Sequence, residues 1–66
     1  MNWKVAVTGE GEVEIYSLVE EAGPLIKCRK DGIFSLFEIP RHGGDPFLYG
    51  DFDSLLDAIK IGETIT

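Results

Sequence analysis

The side chains able to do chemistry in this 66-residue chain are few: one histidine, His42, one thiol, Cys28, and twelve carboxylates, of which Glu10, Glu12 and Glu14 stand two apart. Nucleophilic catalysis by a thiol needs a base in contact with it and a third group that orients the base. Cys28 falls in an expected strand facing the core and His42 in an expected loop, so they read as a small buried thiol and a solvated turn residue. A closed structural zinc site takes four ligands, commonly Cys and His, and the chain offers two. Asp51-Phe52-Asp53 lacks the spaced oxygens and central glycine of an EF-hand loop, so no calcium site is expected. Gly9-Glu10-Gly11 and Gly43-Gly44 do not join a strand to a helix, and turn-making is enough to explain them. Glu12 and Glu14 could hydrolyse a glycoside only across a cleft, for which so short a chain has little room. The expectation is therefore a non-enzymatic protein with no cofactor and no metal.

Stepping outward to the elements, Trp3, Val5 and Val7 alternate with Lys4, Ala6 and Thr8, and Val13 and Ile15 alternate with Glu12, Glu14 and Tyr16. Period two is the strand signature, and the intervening Gly9-Glu10-Gly11 predicts a β-hairpin over residues 1–20. After Gly23-Pro24 a second hairpin is expected, Leu25 to Lys30 and Ile33 to Ile39, turning at Asp31-Gly32. A two-residue turn there pairs Lys30 with Ile33, Cys28 with Ser35 and Ile26 with Phe37. It sends Phe34 and Leu36 to the opposite face, where partial exposure is expected. Residues 40–46 have loop composition and are expected to end the sheet. Phe52, Leu55, Leu56 and Ile59 then recur at i, i+3, i+4 and i+7, predicting an amphipathic helix capped by Asp51 and stopped by Gly62. The expected fold is α+β: a four-stranded antiparallel sheet of two hairpins with one C-terminal helix packed on one face.

A chain of this length makes one domain, residues 1–66, and on folding hides only about 60% of the surface it exposes unfolded. Its 44% hydrophobic content is that of a globular chain despite a net charge of −6. The apolar runs are far too short for a membrane span, and Met1-Asn2-Trp3-Lys4 does not resemble a secretory signal. A lone cysteine excludes an intrachain disulfide. A soluble monomer in the cytoplasm of a bacterial host cell is expected.

The carboxylates are the remaining signal. Alternate strand residues project the same way about 6.6–6.8 Å apart. Glu10, Glu12 and Glu14 therefore share one face, with Val13, Ile15 and Val19 on the core side. Glu20 and Glu21 extend the charge beyond the strand, and Asp53 and Asp57 stand one helical turn apart. Bare charges at the strand spacing repel by about 0.6 kcal/mol per pair even in water. Solubility alone is served by interspersed signs, whereas a single-sign stripe steers a basic partner. With six Lys and Arg against twelve Asp and Glu, direct nucleic-acid binding is not expected. DNA presents a phosphate every ~3.4 Å along each strand, so carboxylates at twice that spacing can occupy alternate phosphate positions in a basic groove.

In length, acidity and α+β outline the chain resembles the small acidic anti-CRISPR proteins of phages, several of which occupy the DNA-binding surface of a CRISPR effector. The resemblance implies an inhibitor acting as a DNA mimic on an effector subunit, with Glu10, Glu12, Glu14, Glu20, Glu21, Asp53 and Asp57 facing its Lys and Arg. Phe34 and Leu36, where exposed, would add an apolar anchor. A second, local likeness covers Gly50-Asp51-Phe52-Asp53-Ser54-Leu55-Leu56-Asp57-Ala58-Ile59, which is similar to the stretch opening the helix of HicB-type antitoxins. It implies neutralisation of a basic RNA-cleaving toxin. A third class is a structural subunit that binds through an apolar patch, its acids incidental.

Overall fold

The computed structural model describes residues 2–65. Strands β1 (Lys4–Val7), β2 (Val13–Tyr16), β3 (Gly23–Cys28), β4 (Phe34–Ile39) and β5 (Phe47–Phe52) precede a single helix, α1 (Leu55–Gly62). The strands form one antiparallel sheet in the order β1-β2-β3-β4-β5. The α+β class with a C-terminal helix is as expected. The sheet, however, has five strands rather than four. Phe47-Leu48-Tyr49 supplies the β-favouring aromatic and apolar residues that extend the sheet beyond the 40–46 loop.

The β1–β2 connection has a local chemical cause. In the β1–β2 turn the Thr8 hydroxyl accepts from the N–H groups of Glu10 and Glu12 at 3.3 and 3.2 Å. Between β2 and β3 lies a second tight hairpin, in which Val19 and Ala22 exchange N–H···O bonds of 2.8 and 3.1 Å. Gly23-Pro24 therefore opens β3 and does not separate two hairpins. The two central residues of this turn, Glu20 and Glu21, hold φ of 54° and 65°. Positive φ at both positions is the type I′ geometry that follows the strand twist, and Asn-Gly is its favoured sequence. A non-glycine residue in the left-handed region costs roughly 1–2 kcal/mol. Glu21→Gly should accordingly stabilise the domain by about 1 kcal/mol, raising the thermal midpoint by a few degrees in a melt followed by circular dichroism. A lowered midpoint would show that the turn does not hold this geometry.

The β3–β4 connection corrects the expected register. Arg29 N–H donates to the Ile33 carbonyl at 2.9 Å, leaving three residues, Lys30-Asp31-Gly32, in the loop. Gly32 sits at φ 85° and Asp31 Oδ1 accepts from Ile33 N–H at 3.1 Å, the chemistry of a type I turn closed by a glycine bulge. The pairs become Cys28 with Phe34, Ile26 with Leu36 and Leu25 with Phe37. A one-residue shift turns every side chain over. Leu36 thus lies at 0% exposure in the core, and Phe34 packs half-buried against it.

That core forms where α1 lies on the face shared by Ile15, Ile26 and Leu36. Ile26, Leu36, Ala58 and Ile65 are buried at its centre, surrounded by Trp3, Ile15, Phe34, Phe52, Leu55 and Ile59. Ser54, not Asp51, caps the helix, its Oγ accepting from Asp57 N–H at 3.3 Å. Asp51 and Phe52 belong to β5. The apolar face runs through Leu55, Ala58, Ile59 and Gly62, while Leu56 points to solvent. Gly62 does not stop the helix with a left-handed turn. It ends the helix packed under the Trp3 ring, where a Cβ would stand 2.9 Å from the indole.

Candidate protein-binding surface

In an up-and-down sheet, alternate connections lie at the same end. The β1–β2 turn with Glu10 and Glu12, the β3–β4 turn with Asp31, and the passage from β5 into α1 with Asp51, Asp53 and Asp57 therefore share one end. Glu20 and Glu21, in the β2–β3 turn, lie at the other. The expected continuous stripe from Glu10 to Glu21 is thus divided. Glu14 occupies mid-sheet on the face away from the helix, directly between Ala6 and Lys27. Lys27 Nζ stands 5.3 Å from the centroid of the Phe37 ring, a cation–π contact that holds this ammonium on the open face. Asp53 precedes the helix cap, so it does not share a helical face with Asp57. Asp57 does lie in the first turn, where the helix dipole favours a carboxylate.

Three carboxylates have an ionic partner within 4 Å among the described residues. Arg29 holds Asp31 at 2.7 Å and reaches Asp51 at 3.9 Å, and Arg41 holds Glu20 at 2.9 Å. Asp51 also accepts from the Ser35 hydroxyl at 2.6 Å. These contacts place both arginines on the protein's own acids. The remaining carboxylates, Glu10, Glu12, Glu14, Glu21, Asp53 and Asp57 among them, face solvent or sheet and have no salt bridge among the described residues.

The apolar part of the expected site needs correction. Leu36 is sealed in the core, and Phe34 is half-buried against it, so neither forms the exposed anchor. Exposed apolar side chains lie instead on the two edge strands, Val5 and Val7 on β1 and a denser group along β5: Phe47, Leu48 and Tyr49 are 60%, 52% and 49% exposed, and the rings of Phe47 and Tyr49 meet edge to face with centroids 6.3 Å apart. The visible signal for it was the run Phe-Leu-Tyr after Pro46, which stood between an expected loop and an expected helix.

Cys28 ends β3 beside Val13 and Phe34, and burial pushes its thiol above the usual value. His42 follows β4 in an exposed loop at the far end of the sheet, so the two do not meet. At that far end a groove of about 590 Å³ is lined by Lys4, Tyr16, Leu18, Ile39, Arg41 and Ile65 among others. Arg41 is occupied there by Glu20. No helix among the described residues is long and apolar enough to cross a membrane. No protein-family model, curated protein or solved structure matches the chain.

Proposed function

We propose that the chain is a non-enzymatic protein-binding inhibitor that presents carboxylates to a basic, nucleic-acid-binding surface of another protein, as a DNA mimic does. The observation that carries this reading is electrostatic. The chain has twice as many acids as bases, and its two best-placed cations, Arg29 and Arg41, are consumed internally. The charge left over is negative, and at the end bearing Glu10, Glu12, Asp53 and Asp57 only Lys30 opposes those four acids once Arg29 is paired. Such a field accelerates encounter with a basic groove and is screened within a Debye length of about 8–10 Å at ordinary salt. A CRISPR effector subunit is the partner proposed first. A basic RNA-cleaving toxin would meet the same chemistry through the same end, where Gly50–Ile59 forms the close of β5 and the opening of α1.

Capture from bacterial lysate on the immobilised protein, with elution in salt steps and mass spectrometry, tests the reading. Recovery of a basic nucleic-acid-binding protein at moderate salt supports it, and that protein's identity decides between effector and toxin. Glu10→Lys combined with Glu12→Lys should weaken capture at least about tenfold with little change in thermal midpoint, because both residues lie in or beside an exposed turn. Undiminished capture by that double variant would refute the electrostatic reading.

A further inference from the structure

An edge strand exposes unpaired backbone N–H and C=O groups, and natural proteins blunt it with shortness, with charge, above all Lys, or with a covering element. β1, at one edge of this sheet, is four residues long and begins at Lys4. β5, at the other edge, is six residues long and has no basic residue; a bulge at Tyr49 and the charge of Asp51 are confined to its middle and its second half, leaving Phe47 and Leu48 uncovered. Its register places apolar side chains on both faces. Phe47 stands opposite Glu38, on the face of Leu36 and α1, whereas Leu48 stands opposite Phe37 on the open face. Tyr49 is the extra residue where the β4–β5 register shifts. At Phe47 and Leu48 the strand is apolar on both faces, the pattern of an interior strand with a neighbour on each side.

Charge selects the neighbour. Asp45 and Asp53 bracket β5, both exposed and neither with an ionic partner within 4 Å among the described residues. Two copies of β5 paired antiparallel about Tyr49 would set Asp45 of each against Asp53 of the other, and like charges directly opposite are destabilising. A segment with basic ends meets the opposite situation. We infer that β5 is a docking strand that takes an extended segment of the partner, apolar at its centre and bearing Lys or Arg at both ends, as a sixth strand of the sheet. Main-chain hydrogen bonds supply the affinity, Phe47, Leu48 and Tyr49 supply the apolar contact, and Asp45 and Asp53 hold the ends. This rests on the basic-partner reading and adds the place where the partner's chain lies.

The test is an NMR titration of the ¹⁵N-labelled protein with a synthetic peptide having an alternating Val-Thr centre and two Lys at each end. The expected result is a Kd on the order of 100 μM, with amide shifts concentrated at residues 47–52. Leu48→Lys should raise that Kd at least about tenfold without moving the thermal midpoint, and so should Glu in place of Lys at the peptide ends. Shifts confined to the Glu10–Glu12 turn would overturn the docking strand while leaving the basic-partner reading in place. Full affinity in Leu48→Lys, or no binding up to about 1 mM, would overturn it too, and the lysate capture judges the parent reading separately. Dimerisation of the protein alone in sedimentation, abolished by Leu48→Lys, would assign the edge to a second copy and refute the basic segment.

Discussion

Gly23→Ala is expected to destabilise the protein by about 3–5 kcal/mol. Gly23 opens β3 at φ 138°, a region L-residues rarely enter, and a Cβ there would stand 2.5 Å from the Ser17 carbonyl oxygen. The obstructing atom belongs to the backbone. Ser17 cannot retreat cheaply, because its N–H donates to the Pro24 carbonyl at 3.1 Å and the next pair inward, Tyr16 with Leu25, belongs to the β2–β3 ladder. The backbone strain alone costs on the order of 1–3 kcal/mol, and relieving the overlap sacrifices ladder hydrogen bonds besides. A domain of this length has only about 3–10 kcal/mol of stability in all. Urea denaturation followed by circular dichroism measures the loss. An unchanged midpoint would mean that β2 and β3 do not approach so closely.

Leu36→Ala should cost about 3 kcal/mol, within the range measured for truncating a fully buried leucine. Leu36 faces Ile26 across the ladder, belongs to the cluster with Ala58 and Ile65, and touches the site of Gly62. Removing it leaves a cavity that the rigid sheet closes poorly. The control is Leu56→Ala at a residue 60% exposed, for which a change within about 0.5 kcal/mol is expected. The comparison also discriminates between registers. With a two-residue turn at Asp31-Gly32, Leu36 would project from the open face and its truncation would resemble that of Leu56. Equal midpoints for the two variants would therefore overturn the three-residue loop.

The two halves of the binding proposal meet at Asp53, where β5 runs into the acidic end. In that proposal, long-range attraction is assigned to the end bearing Glu10, Glu12, Asp53 and Asp57, and short-range recognition to β5 and its exposed Phe47, Leu48 and Tyr49. Electrostatic steering governs the rate of encounter, and desolvated apolar contact with main-chain pairing governs dwell time. Added salt should therefore slow association with the partner more than it speeds release, which rapid-mixing kinetics can resolve.

Local chemistry was enough to determine the β1–β2 hairpin, the amphipathic helix and the excess of acid, because alternation, a glycine-rich turn and an i, i+3, i+4 repeat each act within a few residues. The sequence also placed Val13 and Ile15 opposite Glu12 and Glu14, a parity fixed by the pleat itself. Tertiary structure decided the rest. Asp31-Gly32 is compatible with a two-residue or a three-residue loop, and the choice falls to whichever face of β4 meets α1: the bulge brings Leu36 and Phe34 under the helix and turns Ser35 and Phe37 to the opposite face. Glu20-Glu21 contains no turn-forming residue, yet it adopts positive φ because β2 and β3 must pair around it. β5 exists because β4 offers it an edge, and once Asp51 is drawn into that strand the helix cap passes to Ser54. Gly62 does end the helix, but what requires glycine there is the Trp3 ring, which occupies the space a side chain would need, and not a left-handed turn. In each case the deciding energy is burial or pairing between segments distant in sequence, which no local pattern encodes.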